Sequence, residues 1–238
     1  MVINPEENIL QQELDRFHKE VTENKLVTNE KKTHIMLFNP SKKHVFPAEY
    51  TIGSSELLQV KPTLKILGIQ IQNDLKWGAQ VEQMRKKASS KIWMLRRMKK
   101  LGVGEATISN FWKAEGRVHL EAAAAVWTSG LTAGQSRDLQ RVEHRAVAAF
   151  SARREDPALT CRRLGLQPLA ERRLKLAQTF ANRTVKTSRH KDMFERLENP
   201  RPGRGGRTRE WREEPCRTRR HQQSALPFLT RILNGETK

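Results

Sequence analysis

Residues 63–101 have the sequence TLKILGIQIQNDLKWGAQVEQMRKKASSKIWMLRRMKKL, and the spacing of their apolar residues changes along it. Over Leu64–Ile71 apolar and polar side chains alternate around a Leu67-Gly68 step, which is typical of a buried strand. After Trp77 the apolar residues recur at the three-and-four spacing of one helix face, as Val81, Met84, Ala88, Ile92, Leu95 and Met98. We therefore predict one strand that leads into one long helix.

The predicted helix is strongly basic on the side opposite its apolar residues. Between Arg85 and Lys100 the chain has eight basic residues and no acidic one. They are Arg85, Lys86, Lys87, Lys91, Arg96, Arg97, Lys99 and Lys100. Like charges one helical turn apart destabilise a helix by about 0.2–0.5 kcal/mol per pair. Contact with nucleic-acid phosphates would offset that cost, so we favour it over the alternative, a solvated helix face.

The positive charge lies almost wholly after residue 60. The 238 residues carry a net charge of +19. Residues 1–60 hold seven basic and nine acidic residues, a net −2, and the rest hold 38 basic against 17 acidic, a net +21. Such an excess favours a polyanionic partner, with nucleic acid first and an anionic membrane surface second. No run of eighteen apolar residues and no signal-peptide pattern occurs, so we expect an intracellular protein, nuclear or cytoplasmic, without a membrane span.

The apolar spacing predicts an α+β fold that is mostly α. Residues 1–76 are predicted to form a small antiparallel sheet of three or four strands with a helix, residues 5–23, laid across it. The stripe of that helix is Ile9, Leu10, Leu14, Phe17 and Val21, and the strands are 33–38, 48–52, 57–60 and 64–71.

Residues 77–198 are predicted to form a helical region. Its expected features are a helix C-cap at Gly102, a bend near Gly116, helix formation by 122–125, and helices over 132–151, 157–164 and 168–185. Residues 199–238 are predicted to form a disordered tail rich in Arg, Gly and Pro. Its short apolar end, residues 224–233, either docks back or binds a partner.

Five further residues carry separate expectations. Cys161 and Cys216 lack a zinc-type spacing, so we predict two free thiols in a reducing compartment. Trp93 and Trp112 are predicted to pack in the core, which we favour over base stacking. Glu121 is predicted to be either exposed or paired with an arginine, and not catalytic.

Several sequence blocks follow one another in a familiar order. They are Asn29-x-x-Lys32-Thr33 with the IMLF run after it, the Lys65–Ile69 segment, Asp74-Leu75-Lys76-Trp77 with the basic helix, HLEAAAAVWTSGLT (119–132), QSRDLQRVEHRAV (135–147), LGLQPLAERRLKL (164–176), HKDMF (190–194) and SALPFLTRILN (224–234). In this order they resemble the C-terminal part of the reverse transcriptase of non-LTR retrotransposons.

The resemblance implies a role for each region. Residues 1–76 would be the end of the polymerase palm, with Leu67, Gly68 and Ile69 in the strand that grips the primer. Residues 77–198 would be the thumb and the helical region beyond it. Lys32 would match the lysine thought to protonate the leaving pyrophosphate, although we favour a solvated lysine at the start of a strand.

The sequence departs from the family where catalysis is concerned. A polymerase needs clustered carboxylates for two metal ions. Here the five aspartates stand apart, and the single tyrosine, Tyr50, is followed by Thr51 and not by an x-Asp-Asp sequence. By the resemblance, the chain would begin just downstream of that motif. Ala122 also stands where the family usually has an aromatic residue. We therefore expect no polymerase activity, no metal and no cofactor.

The residues and the resemblance together predict a catalytically inactive, reverse transcriptase-like protein. It would bind a primer–template type duplex or RNA through backbone phosphates, without reading their sequence. The tail arginines Arg204 and Arg207 would add a second contact suited to single strands. Two alternatives stay open. The helical region would be a protein-interaction module whose charge is incidental, or the chain would be the non-functional product of a decayed retroelement reading frame.

Overall fold

The computed structural model describes residues 9–38, 49–53, 56–152, 155–187, 190–202 and 208–236. Helices predominate, and the short strands pair mostly in antiparallel fashion, so the predicted fold class is confirmed. The chain divides into two compact units, residues 1–79 and 80–238. The predicted border between sheet and helical regions falls three residues earlier.

The first unit is organised around helix α1, Ile9–Glu23, whose predicted residues 5–8 lie outside the described part. Its Leu10 and Leu14 pack against a small apolar core of Ile35, Tyr50, Ile52 and Leu58. The predicted helix across the strands is therefore present. Phe17, however, is 47% exposed and does not belong to the buried stripe.

A side-chain amide fastens α1 to strand β2, Thr51–Ile52. Gln11 donates from Nε2 to the Thr51 carbonyl at 3.0 Å and accepts the Thr51 N–H on Oε1 at 2.9 Å. Both backbone groups of Thr51 are thus hydrogen-bonded, and the two bonds hold α1 against β2.

The strands of this unit form separate pairs, so the prediction of one antiparallel sheet is wrong for the described residues. They are β1 His34–Ile35, β2 Thr51–Ile52, β3 Glu56–Leu57 and β4 Gln59–Val60. Strand β2 pairs with β3 antiparallel, and β1 pairs with β4 parallel. Leu58 lies between β3 and β4. Its side chain is buried, and its N–H donates to the Tyr50 carbonyl at 2.7 Å, which extends the β2–β3 pairing by one residue.

The predicted single strand 64–71 is a hairpin. Strand β5, Thr63–Ile66, pairs antiparallel with β6, Ile69–Gln72, and Leu67 and Gly68 form the turn between them. Both turn residues have positive φ, +47° and +89°, which is the two-residue turn that matches strand twist. The residue before the glycine of such a turn is usually asparagine or aspartate, and this pair is the sequence signal of a hairpin. Leucine before the glycine is not such a signal, so the apolar spacing predicted a continuous strand.

The long basic helix is two helices, α2 Gly78–Ser90 and α3 Ile92–Lys100. At Lys91 the hydrogen bonds shorten to three-residue spacing, since the Met94 N–H donates to the Lys91 carbonyl at 3.1 Å. Ser90 precedes the break and its hydroxyl donates to the Lys87 carbonyl at 2.7 Å. Serine hydroxyls compete with helical backbone bonds in this way.

The apolar seam nevertheless continues across the break, as predicted. Its buried members are Val81, Met84, Ala88, Ile92 and Leu95, and Met98 is half-buried. Helix α3 ends at the predicted glycine. Gly102 has φ +77°, and the N–H groups of Gly102 and Val103 donate to the carbonyls of Lys99 and Met98, which is the Schellman arrangement.

The predicted bend near Gly116 is a π-helical turn, Trp112–Arg117, between α4, Glu105–Phe111, and α5, Val118–Glu121. A Cβ on Gly116 would stand 2.0 Å from the Trp112 ring, so only glycine admits that packing. The prediction that 122–125 forms continuous helix is wrong. Ala123 has φ +53°, and α6, Ala124–Trp127, starts only after it.

Three further helices complete the centre of the second unit, namely α7 Ala133–Phe150, α8 Pro157–Arg163 and α9 Leu169–Lys186. Their predicted positions are confirmed to within two residues. Thr132 caps α7, because its hydroxyl oxygen accepts the Gln135 N–H at 3.2 Å. The Gln135 side-chain oxygen in turn accepts the Thr132 N–H at 2.9 Å, which completes a capping box. Helix α7 packs on α3 and α8, and α9 packs on α6.

The described part of the tail is ordered, so the prediction of disorder is wrong there. Strand β7, Arg196–Pro202, pairs antiparallel with β8, Thr208–Trp211, and helices α10, Arg219–Gln222, and α11, Ala225–Leu233, follow. The apolar end docks back, since Leu229 and Ile232 of α11 share a core cluster with Ala177 and Ala181 of α9.

Asn234 joins that docked helix to the hairpin. Its Oδ1 accepts the N–H groups of Glu210 and Trp211, at 3.1 and 3.0 Å, and its Nδ2 donates to the Trp211 carbonyl at 2.9 Å. Composition predicted a disordered tail because the ordered structure depends on only three side chains, the amide of Asn234 and the apolar side chains of Leu229 and Ile232.

We predict that Leu67→Asn stabilises the β5–β6 hairpin by on the order of 1 kcal/mol. Asparagine tolerates the left-handed backbone that Leu67 adopts, and nothing is lost because the Leu67 side chain is 99% exposed. The measurement is amide hydrogen exchange of the β5 and β6 residues, which should slow in the variant. Leu67→Val is the control, and it should exchange faster, because a β-branched residue is strained at positive φ. Equal rates in the two variants would contradict the assignment of this turn.

Candidate nucleic-acid interface

Three of the eight predicted basic residues have partners within the protein. Arg85 pairs with Glu82 at 3.4 Å, and Lys91 pairs with Glu115 at 3.2 Å. The Lys99 ammonium donates to the Ser151 carbonyl, which lies just past the C-terminus of α7. A cation at a helix C-terminus stabilises it, so Lys99 has an internal role in holding α3 to α7.

The other five cations are exposed and pair with no carboxylate of the described residues. They are Lys86, Lys87, Arg96, Arg97 and Lys100, and together we call them the basic face. Arg96, Arg97 and Lys100 lie three, four and seven positions after Trp93, on the side of α3 away from the buried Ile92 and Leu95. Their mutual repulsion is not offset within the described structure.

His119 of α5 lies beside one end of this face. Burial lowers its pKa, and the nearby ammonium groups of Lys87 and Lys91 lower it further, against a smaller raising effect of Glu115. The imidazole is therefore neutral at pH 7. A phosphate bound near Lys87 and Lys91 would reverse the effect of these charges and raise the pKa.

Trp93 is a functional candidate that the sequence reasoning placed wrongly. Its side chain is 58% exposed, so the prediction of core packing is wrong, whereas Trp112 is fully buried as predicted. The signal was available in the spacing. Ile92 and Leu95 already occupy the apolar seam of α3, and Trp93 stands about 100° from Ile92 around the helix, with arginines three and four positions later.

The remaining predicted site residues lie elsewhere. Arg204 and Arg207 lie outside the described residues. Lys32 is exposed at the end of a 3₁₀ turn, Glu30–Lys32, and the Asn29 side chain accepts its N–H at 3.1 Å. The primer-grip candidates Leu67, Gly68 and Ile69 form the tip of the β5–β6 hairpin. The described residues contain no group of three or more His, Cys, Asp or Glu side chains that could hold a metal ion.

A cleft of about 840 Å³ along the β7–β8 hairpin is a competing candidate for a ligand site. The arginines of its lining are all paired. Arg212 pairs with Glu195, also in the lining, at 2.8 Å, and Arg196 and Arg209 pair at 2.9 and 2.5 Å with two glutamates outside the lining, Glu210 and Glu236. A site built for a charged ligand needs unpaired groups that converge, and these pairs leave few. The basic face is the stronger candidate.

A buried group of charges lies behind the basic face, in the helical core. The Arg117 Nε atom stands 2.8 Å from Glu121 and 3.1 Å from Glu143, and an Arg117 amino group donates to the Gln167 carbonyl. Arg172 reaches Glu121 at 3.2 Å. Of the two readings of Glu121 left open by the sequence, pairing with arginine is therefore correct.

Burial governs the titration of this group. It raises the pKa of Glu143, although Arg117 and a hydrogen bond from Gln140 act in the opposite direction. Burial also lowers the pKa of Arg173 to about 10, and that guanidinium lies over the Trp127 ring at 5.7 Å. The burial of Glu143 and Arg173 was not predicted from the sequence.

The two cysteines are free thiols. Burial raises the pKa of Cys161 to about 11, so the thiol is protonated and unreactive at neutral pH.

We predict that Arg117→Met destabilises the protein by about 3–5 kcal/mol, because it leaves Glu143 buried without its counter-charge. Arg172→Met removes a half-exposed partner and should cost about 1 kcal/mol or less. Urea unfolding followed by circular dichroism measures both. A raised pKa in the folded state favours folding as the pH falls, so Arg117→Met should be less destabilised at pH 5 than at pH 8. Equal losses in the two variants would contradict this account.

We predict that Lys87→Gln raises the pKa of His119, because it removes one of the ammonium groups that hold that pKa down. The measurement is the pH titration of the His119 ring protons by NMR. Lys86→Gln is the matched control, since Lys86 has no part in the shift, and it should leave the midpoint unchanged. An unchanged midpoint in Lys87→Gln would place Lys87 away from the ring.

No helix of the described residues is both long enough and apolar enough to cross a membrane. Comparison with known proteins finds no family model, no curated protein and no solved structure that matches this chain.

Proposed function

We propose that this protein binds nucleic acid without sequence specificity, through contacts between the basic face of α2 and α3 and backbone phosphates. One observation carries the proposal. Five exposed cations stand on two consecutive helices without a carboxylate partner among the described residues. Elsewhere in the second unit some exposed arginines, such as Arg163, Arg196 and Arg212, are paired with glutamates at 2.8–3.0 Å. Others, such as Arg137, Arg145 and Arg183, also lack an ion pair among the described residues, so the distinguishing feature of the basic face is that its five cations are close together in sequence on two consecutive helices.

The dimensions of the face suit a phosphate backbone. Lys86 and Lys100 are separated by fourteen residues, or about 21 Å along helices that rise about 1.5 Å per residue. Successive phosphates of one strand of a duplex advance about 3.4 Å along the axis, so about six of them span that length. Phosphate contacts fix position without reading bases, and the flexible lysine and arginine side chains of this face suit that kind of contact.

The resemblance to the thumb of a non-LTR retrotransposon reverse transcriptase supports the same proposal. By that resemblance α2 and α3 would follow the primer-grip region, whose counterpart would be Leu67, Gly68 and Ile69 at the tip of the β5–β6 hairpin. We propose a binding role and no nucleotide transfer for these 238 residues, because the sequence has no Tyr-x-Asp-Asp motif and no two adjacent aspartates. On this view Lys32 is a solvated surface lysine.

Salt dependence tests the proposal. The association constant of the full chain with a fluorescent 20-base-pair duplex should fall with salt. A plot of log K against log salt should have a slope of about −4.5 if all five cations contact phosphates, at about −0.9 per contact. The double variant Arg96→Gln/Arg97→Gln should bind more weakly and reduce the slope by about two contacts, to about −2.7.

The matched control removes the same charge from another helix. Arg183 and Lys186 are exposed in α9, and Arg183→Gln/Lys186→Gln should leave the slope unchanged if binding is confined to the basic face. A slope near zero in the unmodified protein would refute the proposal. Equal effects of the two double variants would show a response to net charge alone and would also refute it.

A further inference from the structure

We infer that Trp93 is a base-stacking platform within the basic face, which makes single-stranded nucleic acid the preferred ligand of this site. The inference rests on the proposed function and adds to it the class of nucleic acid that is bound. It depends on the exposure of Trp93, on the cations beside it and on the rigidity of α3.

The exposure of Trp93 is unusual for its residue type. Tryptophan contributes more apolar area than most side chains and is highly buried on average. Trp112 and Trp127 of the same unit are fully buried, whereas 58% of Trp93 is exposed to solvent. The Trp93 ring is therefore not part of the core, although its neighbours Ile92 and Leu95 on α3 are buried there.

The charged residues of α3, the helix that carries Trp93, are all positive. Side chains on a helix lean towards its N-terminus, so the residues three and four positions later extend back over the turn that carries the ring. At Trp93 these residues are Arg96 and Arg97, and Lys100 follows one turn further on. An approaching polyanion would thus meet cations directly beside an exposed aromatic face.

The helix that carries the ring is also held in place before any ligand arrives. Ile92 and Leu95, on either side of it in the sequence, are 3% and 0% exposed, and α3 packs on α7 through this seam. The donation from Lys99 to the Ser151 carbonyl fastens the end of the same helix. Little conformational entropy is then lost when a ligand covers Trp93.

This combination favours a single strand over a duplex. In a duplex the base faces are stacked on one another, and only the phosphates are available to the basic face. A single strand offers both its phosphates and the face of a base, and aromatic stacking with any base is favourable because every base has a π-face. DNA and RNA share this chemistry. An acidic and apolar protein segment is the other occupant such a surface could take, and the test separates it from nucleic acid.

The test compares Trp93→Ala and Trp93→Phe in the full chain, at one salt concentration. The ligands are fluorescent single-stranded dT20, single-stranded U20 and a 20-base-pair duplex, and fluorescence anisotropy gives the affinities. We expect Trp93→Ala to bind both single strands about 5- to 100-fold more weakly and the duplex within twofold of the unmodified protein. Trp93→Phe keeps an aromatic face and should retain most of the affinity. Loss for only one of the two single strands would assign the stacking site to that nucleic acid.

A control variant and further measurements distinguish loss of stacking from loss of structure. Phe180→Ala removes another half-exposed aromatic side chain, in α9, and should leave all affinities unchanged. The slope of log K against log salt should be the same for Trp93→Ala and the unmodified protein, because no phosphate contact is removed. Circular dichroism and urea unfolding of each variant show whether the fold is retained.

The failures of the two proposals are distinguishable. Equal affinity of Trp93→Ala and the unmodified protein for single strands would overturn this inference, while the effect of Arg96→Gln/Arg97→Gln would still support phosphate binding. An equal loss for single strands and duplex would overturn it as well, and so would a Trp93→Phe variant as weak as Trp93→Ala. Absence of salt-dependent binding to every nucleic acid would refute the proposed function itself and favour a protein ligand.

Discussion

The contact between Arg117 and the two glutamates, Glu121 and Glu143, is the interaction on which the helical unit depends. Removing these charges from water is costly, and burial accordingly raises the pKa of Glu143. One guanidinium offsets it for both carboxylates and also reaches the Gln167 carbonyl. The contact therefore joins α5, α7 and the segment before α9 at a single point. Helix α7 in turn supports α3, so the orientation of the basic face rests on this buried group.

A local irregularity of the helix places Arg117 at that point. The π-helical turn Trp112–Arg117 accommodates an extra residue relative to an α-helix and changes the phase of the residues that follow. Gly116 permits the turn, because any side chain there would collide with the Trp112 ring. Trp112 fills the core on one side while Arg117 enters it on the other. A glycine in the middle of a helix normally costs about 1 kcal/mol of stability. Here Gly116 is required, because without it the π-helical turn could not place Arg117 between the two glutamates.

What the sequence could predict was largely local. The seam of α2 and α3, the Thr132 capping box and the glycine after α3 each depend on a few neighbouring residues, and each is present. The hairpin turn at Leu67 was missed because its conformation is one that leucine rarely adopts. The docked C-terminal helix was missed because its order comes from α9, far away in sequence. Trp93 was misplaced for a different reason. Residue type suggested the core, whereas helical phase pointed to solvent, and the phase prevailed.

The contrast between the two kinds of charge in this protein bears on its function. In the core, each glutamate of the buried group stands within 3.2 Å of an arginine, and on much of the surface arginines pair with glutamates in the same way. Paired surface charges contribute little to stability, so their pairing reflects ordinary composition more than any demand of the fold. The basic face concentrates five cations without such pairs on two consecutive helices, and an exposed indole lies among them. Neither feature stabilises α3, which the seam and the contact of Lys99 with Ser151 already hold. The surface of α3 therefore has repulsion between its cations and an exposed aromatic ring, and the helix needs neither for its stability. A ligand that supplies both negative charge and an aromatic face best explains them.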